Sequence, residues 1–320
     1  MSRPPKTLNE FIGQPRVIRQ LVRKIAGAKA LGRSCPSMLL TGPSGIGKTT
    51  LAEAIAREYG TNILKLFAGE ETTPLEICRA LGSLEASDIF FIDEIHALTA
   101  QAQQILYVAL DAGKAPACQD GRLDRTTFDS VAEFTLIGAT NEPGRLKRAM
   151  RRRLTRIEFD RYSIAELKLV AARLADRESV EITPQAARRL AETAQGTPAL
   201  VQRRVDDLRL YWPDKRAFTL EDVTTMLAEE GIDHHGLSAH QRQYIMILAD
   251  SPGGICSLER VSVRLGCDLA SIKQDVEPFL IEEGLVDPHS ARGRKLTTKG
   301  HSLLHESVPV AIEREELGPC

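Results

Sequence analysis

The sequence has no long apolar run, no paired cysteines and no excess of charge of either sign, and each absence excludes a class of protein. No apolar run approaches the ~20 residues that a membrane-spanning helix needs, and the opening MSRPPKTLNEF has no apolar core, so we expect neither a membrane span nor a secretory signal. The six cysteines are scattered and form no C-x-x-C pair, which predicts reduced thiols, no zinc framework and a cytoplasmic location. The 42 Lys and Arg residues balance 43 Asp and Glu residues, which excludes a generally basic coat for nucleic acid but not a local basic patch.

The pattern of apolar residues divides the chain into three predicted domains. Residues 1–160 alternate short, continuously apolar runs (SMLLTG, IFFID, EFTLIGAT) with helical patterns such as TTLAEAIAREYG, which predicts an α/β domain with a buried parallel sheet. Residues 161–232 show amphipathic helices, with Thr183 and Thr197 predicted as N-caps because each precedes a proline. Residues 233–320 show short helical patterns followed by a hairpin with a basic turn.

The segment GPSGIGKT, residues 42–49, has the spacing G-x-x-x-x-G-K-[ST] and lies between a predicted strand and a predicted helix. The glycines allow backbone N–H groups to curl around phosphate oxygens, and the N-terminus of the helix adds a partial positive charge. We therefore expect an ATP site in which Lys48 reaches the β- and γ-phosphates and the Thr49 hydroxyl binds Mg²⁺.

Two further apolar strands are predicted to end beside this phosphate loop. Asp93 ends the first, so its carboxylate is expected to bind Mg²⁺ through water, and the adjacent Glu94 is expected to polarise the attacking water. Asn141 follows the second strand and is expected to face the γ-phosphate or the attacking water. His96 is predicted to be structural, because a single histidine is more often packed than catalytic.

The segment GRLKRAMRRRLTR, residues 144–156, carries many basic residues and no acidic one. A DNA-binding patch is one interpretation, in which each basic residue contacts a phosphate. A second interpretation follows from the position of the segment directly after the strand that precedes Asn141: in a ring-forming ATPase, an arginine of one subunit reaches the nucleotide of its neighbour. Most of these arginines are expected only to coat the surface.

The succession of motifs resembles a known family. RPPKTLNEFIGQPRVIRQL, GPSGIGKTTLA, DIFFIDEIHAL, FTLIGATNEPG, QGTP and VEPFLIEEGLV occur in the order found in the RuvB family, the AAA+ motors of bacterial Holliday-junction branch migration. The resemblance covers about residues 3–300. It implies an AAA+ P-loop parallel-sheet domain, a helical lid domain and a C-terminal winged helix. It also implies a homo-hexameric ring around duplex or Holliday-junction DNA, a role in recombination and repair, and a RuvA-like partner.

The resemblance further implies roles for individual residues. Nucleotide-binding residues are expected to be Arg3, Phe11, Ile12, Gly45, Gly47, Lys48, Thr49, Thr50 and Asp93, of which Thr49 and Asp93 also bind Mg²⁺. Catalytic residues are expected to be Glu94, the sensor Asn141, the arginine finger Arg153 and a second arginine, Arg151. DNA-binding residues are expected in the wing at His289, Arg292, Arg294 and Lys295.

Two departures from the family pattern leave a second function open. The family's lid motif GTPR reads GTPA here, so Ala199 stands in place of an arginine, and Arg203 lies one helical turn further on. The hairpin that binds RuvA in the family, partly through apolar residues, is mostly polar here (residues 113–132), which argues against a RuvA of the usual kind. The alternative is a RuvB-like switch or loader that acts with a different protein and does not translocate processively.

Overall fold

The computed structural model describes residues 7–69, 71–119, 122–290 and 293–306. The chain divides into two compact units, Met1–Leu220 and Glu221–Cys320. The predicted α/β domain and residues 161–220 of the predicted helical domain thus lie in one unit, and the threefold division of the chain stays a prediction. Among the described residues, no helix has both the length and the apolar character to cross a membrane.

The first unit is built on a five-stranded parallel sheet with the order β2-β3-β6-β1-β7. The strands of its α/β part are β1 (Met38–Thr41), β2 (Ile63–Phe67), β3 (Ile89–Asp93), β4 (Lys114–Gln119), β5 (Arg122–Ser130), β6 (Thr135–Thr140) and β7 (Thr155–Glu158). The predicted apolar runs form β1, β3 and β6, which adjoin in the sheet and whose residues are buried except for Asp93 at the end of β3. The predicted parallel sheet is therefore confirmed, and the carboxyl ends of these strands meet at one edge. Strands β4 and β5 form a separate antiparallel hairpin.

Helices follow most of these strands. They are α1 (Pro15–Ala30), α2 (Lys48–Tyr59), α3 (Pro74–Gly82), α4 (Ala100–Ala112) and α5 (Arg148–Arg153). Helix α2 begins at the end of the phosphate loop and ends, as predicted, at Gly60, whose φ of 81° is the left-handed conformation that favours glycine. Apolar residues of α3 and α4 pack with β3 and β6 in one buried cluster.

The remainder of the first unit is helical. It contains α6 (Ile164–Glu178), β8 (Glu181–Ile182), α7 (Pro184–Thr193), α8 (Pro198–Tyr211) and β9 (Ala217–Phe218). The predicted helices are confirmed, whereas the short parallel pair β8–β9 was not expected. Thr183 caps α7 by accepting a hydrogen bond from the Ala186 N–H at 3.3 Å. Thr197 is the N-cap residue of α8, as predicted, although its hydroxyl makes no capping hydrogen bond and donates instead to the Ala194 carbonyl at 3.1 Å.

The second unit combines short helices with a three-stranded antiparallel sheet of order β10-β12-β11. Its elements are α9 (Leu220–Glu229), α10 (Ala239–Ala249), β10 (Ile255–Cys256), α11 (Leu258–Leu265), α12 (Leu269–Ser271), α13 (Glu277–Glu282), β11 (Val286–Ser290), β12 (Gly293–Leu296) and α14 (Thr298–Glu306). The predicted turn between helices is present: Gly266 ends α11 with a φ of 70°, and the Asp268 carboxylate caps α12. The predicted hairpin is β11–β12.

Candidate functional site

The phosphate loop is curled before α2, and Lys48 holds it in that shape. Lys48 Nζ donates hydrogen bonds to the carbonyls of Gly42 and Pro43, both at 2.9 Å. The side chain is buried, and this burial lowers the pKa of the ammonium, while the carboxylates of Glu94 and Asp93 act in the opposite direction. Among the described residues Lys48 has no ion-pair partner, so a desolvated ammonium in the loop is available to an anion such as phosphate.

Thr49 and Asp93 form an oxygen-rich pair at the mouth of the loop. The Thr49 hydroxyl donates to Asp93 Oδ2 at 3.0 Å, and the Glu94 N–H donates to Asp93 Oδ1 at 3.0 Å. These are the hard oxygen ligands that Mg²⁺ prefers, and Mg²⁺ usually takes only one or two ligands from protein when phosphates supply others. The side chains present therefore fit a magnesium ion shared with a nucleotide.

Glu94 is held in an unusual backbone conformation immediately after β3. Its φ of 49° and ψ of 41° are left-handed, which costs a residue other than glycine about 1–3 kcal/mol and is found most often at functional sites. Its Oε2 is buried and has no hydrogen-bond partner among the described residues. A buried carboxylate oxygen left without a donor costs roughly 1–3 kcal/mol, so this atom gains from a donor that the chain does not provide, such as a water.

His96 and Thr140 also lie at the site, although His96 was predicted to be structural and no role was predicted for Thr140. His96 Nδ1 lies 3.1 Å from Glu94 Oε2, without the angle of a hydrogen bond, and 3.0 Å from the Thr140 hydroxyl. Asn141, the predicted sensor, follows β6 at the same edge of the sheet with an exposed side chain. A usable signal was present, because His96 stands two residues after Glu94 and Thr140 is the last residue of an apolar strand.

Two aromatic side chains, Phe11 and Tyr162, adjoin the phosphate loop at the predicted adenine contacts. A Cβ atom added at Gly47 would lie 3.3 Å from the Phe11 ring and 3.8 Å from the Tyr162 hydroxyl. The Tyr162 ring also packs closely against Gly13, and burial raises the pKa of its phenol. Ile12, which lies between Phe11 and Gly13 in the sequence, is half-buried. Arg3 lies outside the described residues. Tyr162 was missed because one tyrosine before a helix has no local signature.

The helical part of the unit touches the phosphate loop through backbone atoms. The Ala199 N–H, in the first turn of α8, donates to the Gly45 carbonyl at 3.2 Å. The Ala199 methyl lies so near that a Cβ at Gly45 would be 2.7 Å from it. Arg203 is exposed and lies 3.8 Å from Asp207, so its guanidinium is engaged along its own helix. Thr50, the last predicted phosphate contact, lies in the first turn of α2.

The two predicted trans-acting arginines lie at the end of α5 and differ in their partners. Arg153 forms an ion pair with Asp111 on α4, and its guanidinium carbon is 5.6 Å from the centre of the Tyr107 ring. Arg151 is exposed and has no hydrogen bond or ion pair within the described ranges. Both side chains are therefore at the surface of the unit. Arg153 is held there by its ion pair with Asp111, whereas the Arg151 side chain has no such pair among the described residues.

The wing of the second unit contains an ion pair that the sequence did not predict. Arg294 Nε and Nη2 donate to the Glu277 carboxylate at 2.8 and 3.2 Å, and the Tyr244 hydroxyl also donates to it. The Glu277 side chain is 3% exposed. Lys295, the next residue, is exposed. Arg292 lies outside the described residues, and His289 is described only as part of the backbone of β11. Arg294 thus has a structural contact that engages its guanidinium.

Comparison with known proteins matches both units. A family model described as the Holliday junction DNA helicase RuvB P-loop domain matches residues 3–159, and one described as the RuvB C-terminal winged helix domain matches residues 234–305.

Individual relatives match nearly the whole chain. The Holliday junction branch migration complex subunit RuvB of Synechococcus sp. (strain CC9902) is 34% identical over 95% of this chain and 89% of the relative. The Thermotoga maritima protein of the same name is 34% identical over 95% of this chain and 92% of its own length. A solved structure, the Thermotoga maritima RuvB Holliday junction branch migration motor, superimposes with a TM-score of 0.81 at 32% identity, covering 96% of this chain and 99% of that one. The order of strands, the phosphate loop and these matches along the chain together place it in the RuvB family.

Proposed function

We propose that this protein is an ATP-driven, ring-forming DNA translocase of the RuvB type that drives Holliday-junction branch migration in the cytoplasm. The observation that carries the hydrolytic part is the juxtaposition, at the carboxyl edge of the sheet, of a buried Lys48, the Thr49–Asp93 pair and a Glu94 oxygen without a hydrogen-bond partner among the described residues. The DNA part is supported by relatives named for branch migration and by the winged-helix unit.

In this proposal the chain's own residues divide the work of hydrolysis. The phosphate loop, with Gly45, Gly47 and Thr50, binds the phosphates through backbone and hydroxyl groups, while Lys48 exchanges its two carbonyl partners for phosphate oxygens. Glu94 accepts a hydrogen bond from the attacking water at Oε2 and orients it.

Three further groups complete the nucleotide site in this proposal. Asn141 faces the γ-phosphate from the end of β6. Phe11 and Ile12, together with Arg3, receive the adenine.

Thr49 and Asp93 would hold Mg²⁺ in this site. When bound there, the ion would supply positive charge that offsets the negative charge of the nucleotide phosphates. The chain contributes two oxygen ligands already placed side by side, at 3.0 Å, before a nucleotide arrives.

Arg153 and Arg151 are proposed to act on the nucleotide of the neighbouring subunit in a homo-hexamer. The Arg153–Asp111 pair is weak enough to be exchanged for a phosphate, because both side chains are more than 40% exposed and exposed pairs contribute about 0–1 kcal/mol. Arg is suited to this task, since it stays charged and presents a planar fork of donors.

DNA contacts are proposed for the wing at His289, Arg292 and Lys295. Arg294 donates to Glu277 through Nε and Nη2, so we propose that this ion pair, and not a DNA contact, is its main role. A RuvA-like partner is proposed to bind the β4–β5 hairpin. Phe128, a large apolar side chain of this hairpin, is half-exposed and could contact such a partner.

The test of the shared site is complementation between two inactive variants. Glu94→Gln and the double variant Arg151→Ala/Arg153→Ala should each lose most ATPase activity. When they are mixed, some interfaces combine an intact Glu94 with intact arginines, so activity should return. A mixture of Glu94→Gln with Lys48→Ala is the control, because both changes lie in the same half of the site and should not complement. Failure of the first mixture, with both variants folded and assembled, would refute the shared site.

A second measurement separates the motor from the alternative of a switch or loader. The motor should show ATPase activity that duplex DNA stimulates, and it should move a synthetic four-way junction in the presence of ATP. Hydrolysis that is slow and indifferent to DNA, with ATP-dependent assembly on another protein, would favour the switch, which Ala199 and the polar hairpin make worth testing.

A further inference from the structure

A cluster of polar groups surrounds His96, outside the residues that hold the nucleotide in the proposal above. Nδ1 lies 3.1 Å from Glu94 Oε2 and 3.0 Å from Thr140 Oγ1, and Nε2 lies 3.6 Å from Glu142 Oε1. The His96 side chain is only 10% exposed. The Glu142 N–H donates to the same Thr140 hydroxyl at 2.9 Å, so the cluster continues into the segment after β6.

The turn that carries His96 is fixed against β6. Residues Ile95–Ala97 form a single 3₁₀ turn, closed by a hydrogen bond from the Ala97 N–H to the Glu94 carbonyl at 2.8 Å. Beneath it, Ile95 is fully buried against Gly138 of β6, where an added Cβ would lie 2.8 Å from the Ile95 side chain. The ring of His96 therefore has little freedom to move relative to β6.

Any buried histidine needs polar partners for its ring nitrogens, so the identity of the partners of His96 carries the argument. Here both nitrogens face oxygen atoms, and those atoms belong to two elements that are separate in sequence, the turn after β3 and the end of β6. One of them is the carboxylate proposed to orient the attacking water. The imidazole lies directly beside that carboxylate, with Nδ1 3.1 Å from Oε2.

We propose that His96 is a positioning residue for ATP hydrolysis, which sets the place of the Glu94 carboxylate and ties it to Thr140 and Glu142 at the end of β6. This inference rests on the hydrolytic role proposed for Glu94. His96 does not touch the nucleotide in this account, so its loss should change the rate of the chemical step and leave nucleotide affinity intact.

The experiment compares four variants of the full-length chain. His96→Leu should lower kcat by on the order of 100-fold, the effect of misplacing a reacting group by about 1 Å, with unchanged KM and unchanged affinity for a fluorescent ATP analogue. His96→Asn should retain most of kcat, because its amide nitrogen can take the place of Nδ1. Thr140→Val should lower kcat, and the double variant His96→Leu/Thr140→Val should be no worse than His96→Leu, since both changes break one connection.

Thr135→Val is the matched control. Thr135 lies at the other end of β6, is fully buried like Thr140, and donates its hydroxyl to the Cys35 carbonyl at 2.6 Å. It should lower thermal stability while kcat, measured below the unfolding temperature, stays at the wild-type value. A merely structural role for His96 would give the same result for His96→Leu as for this control.

The outcomes separate the two proposals. If the wild-type chain hydrolyses ATP and Lys48→Ala abolishes this, but kcat survives His96→Leu and Thr140→Val, the positioning role is overturned and the proposed function stands. If His96→Leu does not fold, Thr140→Val and His96→Asn decide the matter by the same split between kcat and KM. If wild-type hydrolysis does not depend on Lys48 and Glu94, both proposals fall together.

Discussion

Replacing Arg294 with methionine should mainly lower the stability of the second unit and should affect its affinity for DNA less. The change removes the guanidinium that donates twice to Glu277, at 2.8 and 3.2 Å, while keeping a side chain of similar reach. Glu277 would then remain buried with only the Tyr244 hydroxyl as a donor. An ionised carboxylate without its cation is among the most costly groups to bury.

The size of the effect follows from how far solvent reaches the pair. Removing one partner of a fully buried ion pair costs about 3–5 kcal/mol. The Glu277 side chain is 3% exposed but that of Arg294 is 22% exposed, so water replaces part of the lost contact, and we expect about 2–4 kcal/mol. For a unit of 60–100 residues each kcal/mol moves Tm by about 4–8 °C, so Tm should fall by at least ~8 °C.

Hydrogen exchange of the full-length chain can locate this loss. Peptides from α10, which carries Tyr244, should lose protection in Arg294→Met, whereas peptides from the parallel sheet should not. The single tryptophan, Trp212, lies in the first unit, so its fluorescence provides an internal control for the unfolding of that unit. The double variant Arg294→Met/Glu277→Gln should regain most of the stability, because no charge is left buried and Tyr244 keeps an acceptor.

Lys295→Met is the matched control for DNA binding. Lys295 is the next residue of β12 and is exposed, so its replacement should leave Tm unchanged and reduce affinity for duplex DNA. The reasoning would be refuted if Arg294→Met left Tm and exchange unchanged and reduced DNA affinity as much as Lys295→Met did. Arg294 would then be a DNA contact after all.

Three further predictions concern the first unit. Gly45→Ala should weaken ATP binding in a titration, because its φ of 71° costs a Cβ-bearing residue about 1–2 kcal/mol and the new Cβ would collide with Ala199. Hydrogen bonds from the hydroxyls of Thr127 and Thr126 lower the pKa of Asp124 to about 2. The Asp124 carboxylate should therefore stabilise the β4–β5 hairpin fully above its pKa in the unfolded chain, about 3.9, and this stabilisation should be lost as the pH falls towards 2. An NMR titration of the wild type and Asp124→Asn can measure this difference. Burial raises the pKa of both Cys35 and Cys78 to about 12, so mass spectrometry after alkylation of the native protein should find both thiols unmodified.

The features that could be predicted from the sequence depend on neighbouring residues. The strands β1, β3 and β6 are continuous apolar runs, which is the pattern of strands buried on both faces. Helix α6 begins at Ser163, whose hydroxyl and the Glu166 carboxylate form a reciprocal cap, so its start is encoded within four residues. The phosphate loop likewise lies within one segment, and its placement after β1 needs no distant contact.

The features that were missed depend on residues far apart in the chain. The contact of His96 with Thr140 joins residues separated by 44 positions, and no local pattern specifies it. Arg294 is different, because the strand alternation did carry a signal: Leu296 is buried, so two residues earlier the side chain of Arg294 must point to the same inner face. The alternation thus indicated the contact with Glu277, and a DNA contact of Arg294 stays a prediction.

Strand β6 connects the residues proposed to act in hydrolysis with the segment that leads to the arginines proposed to act on a neighbouring subunit. Gly138 packs on Ile95, Thr140 contacts His96 beside Glu94, and Asn141 begins the segment that continues into α5 with Arg153. Because buried contacts of this kind transmit displacement rather than absorb it, a shift of α5 against a neighbouring subunit would reach Glu94 through β6. This coupling can be measured by comparing His96→Leu, Thr140→Val and their double variant, each also mixed with Arg151→Ala/Arg153→Ala subunits. If the coupling exists, loss of the neighbour's arginines should lower kcat less in His96→Leu than in wild type.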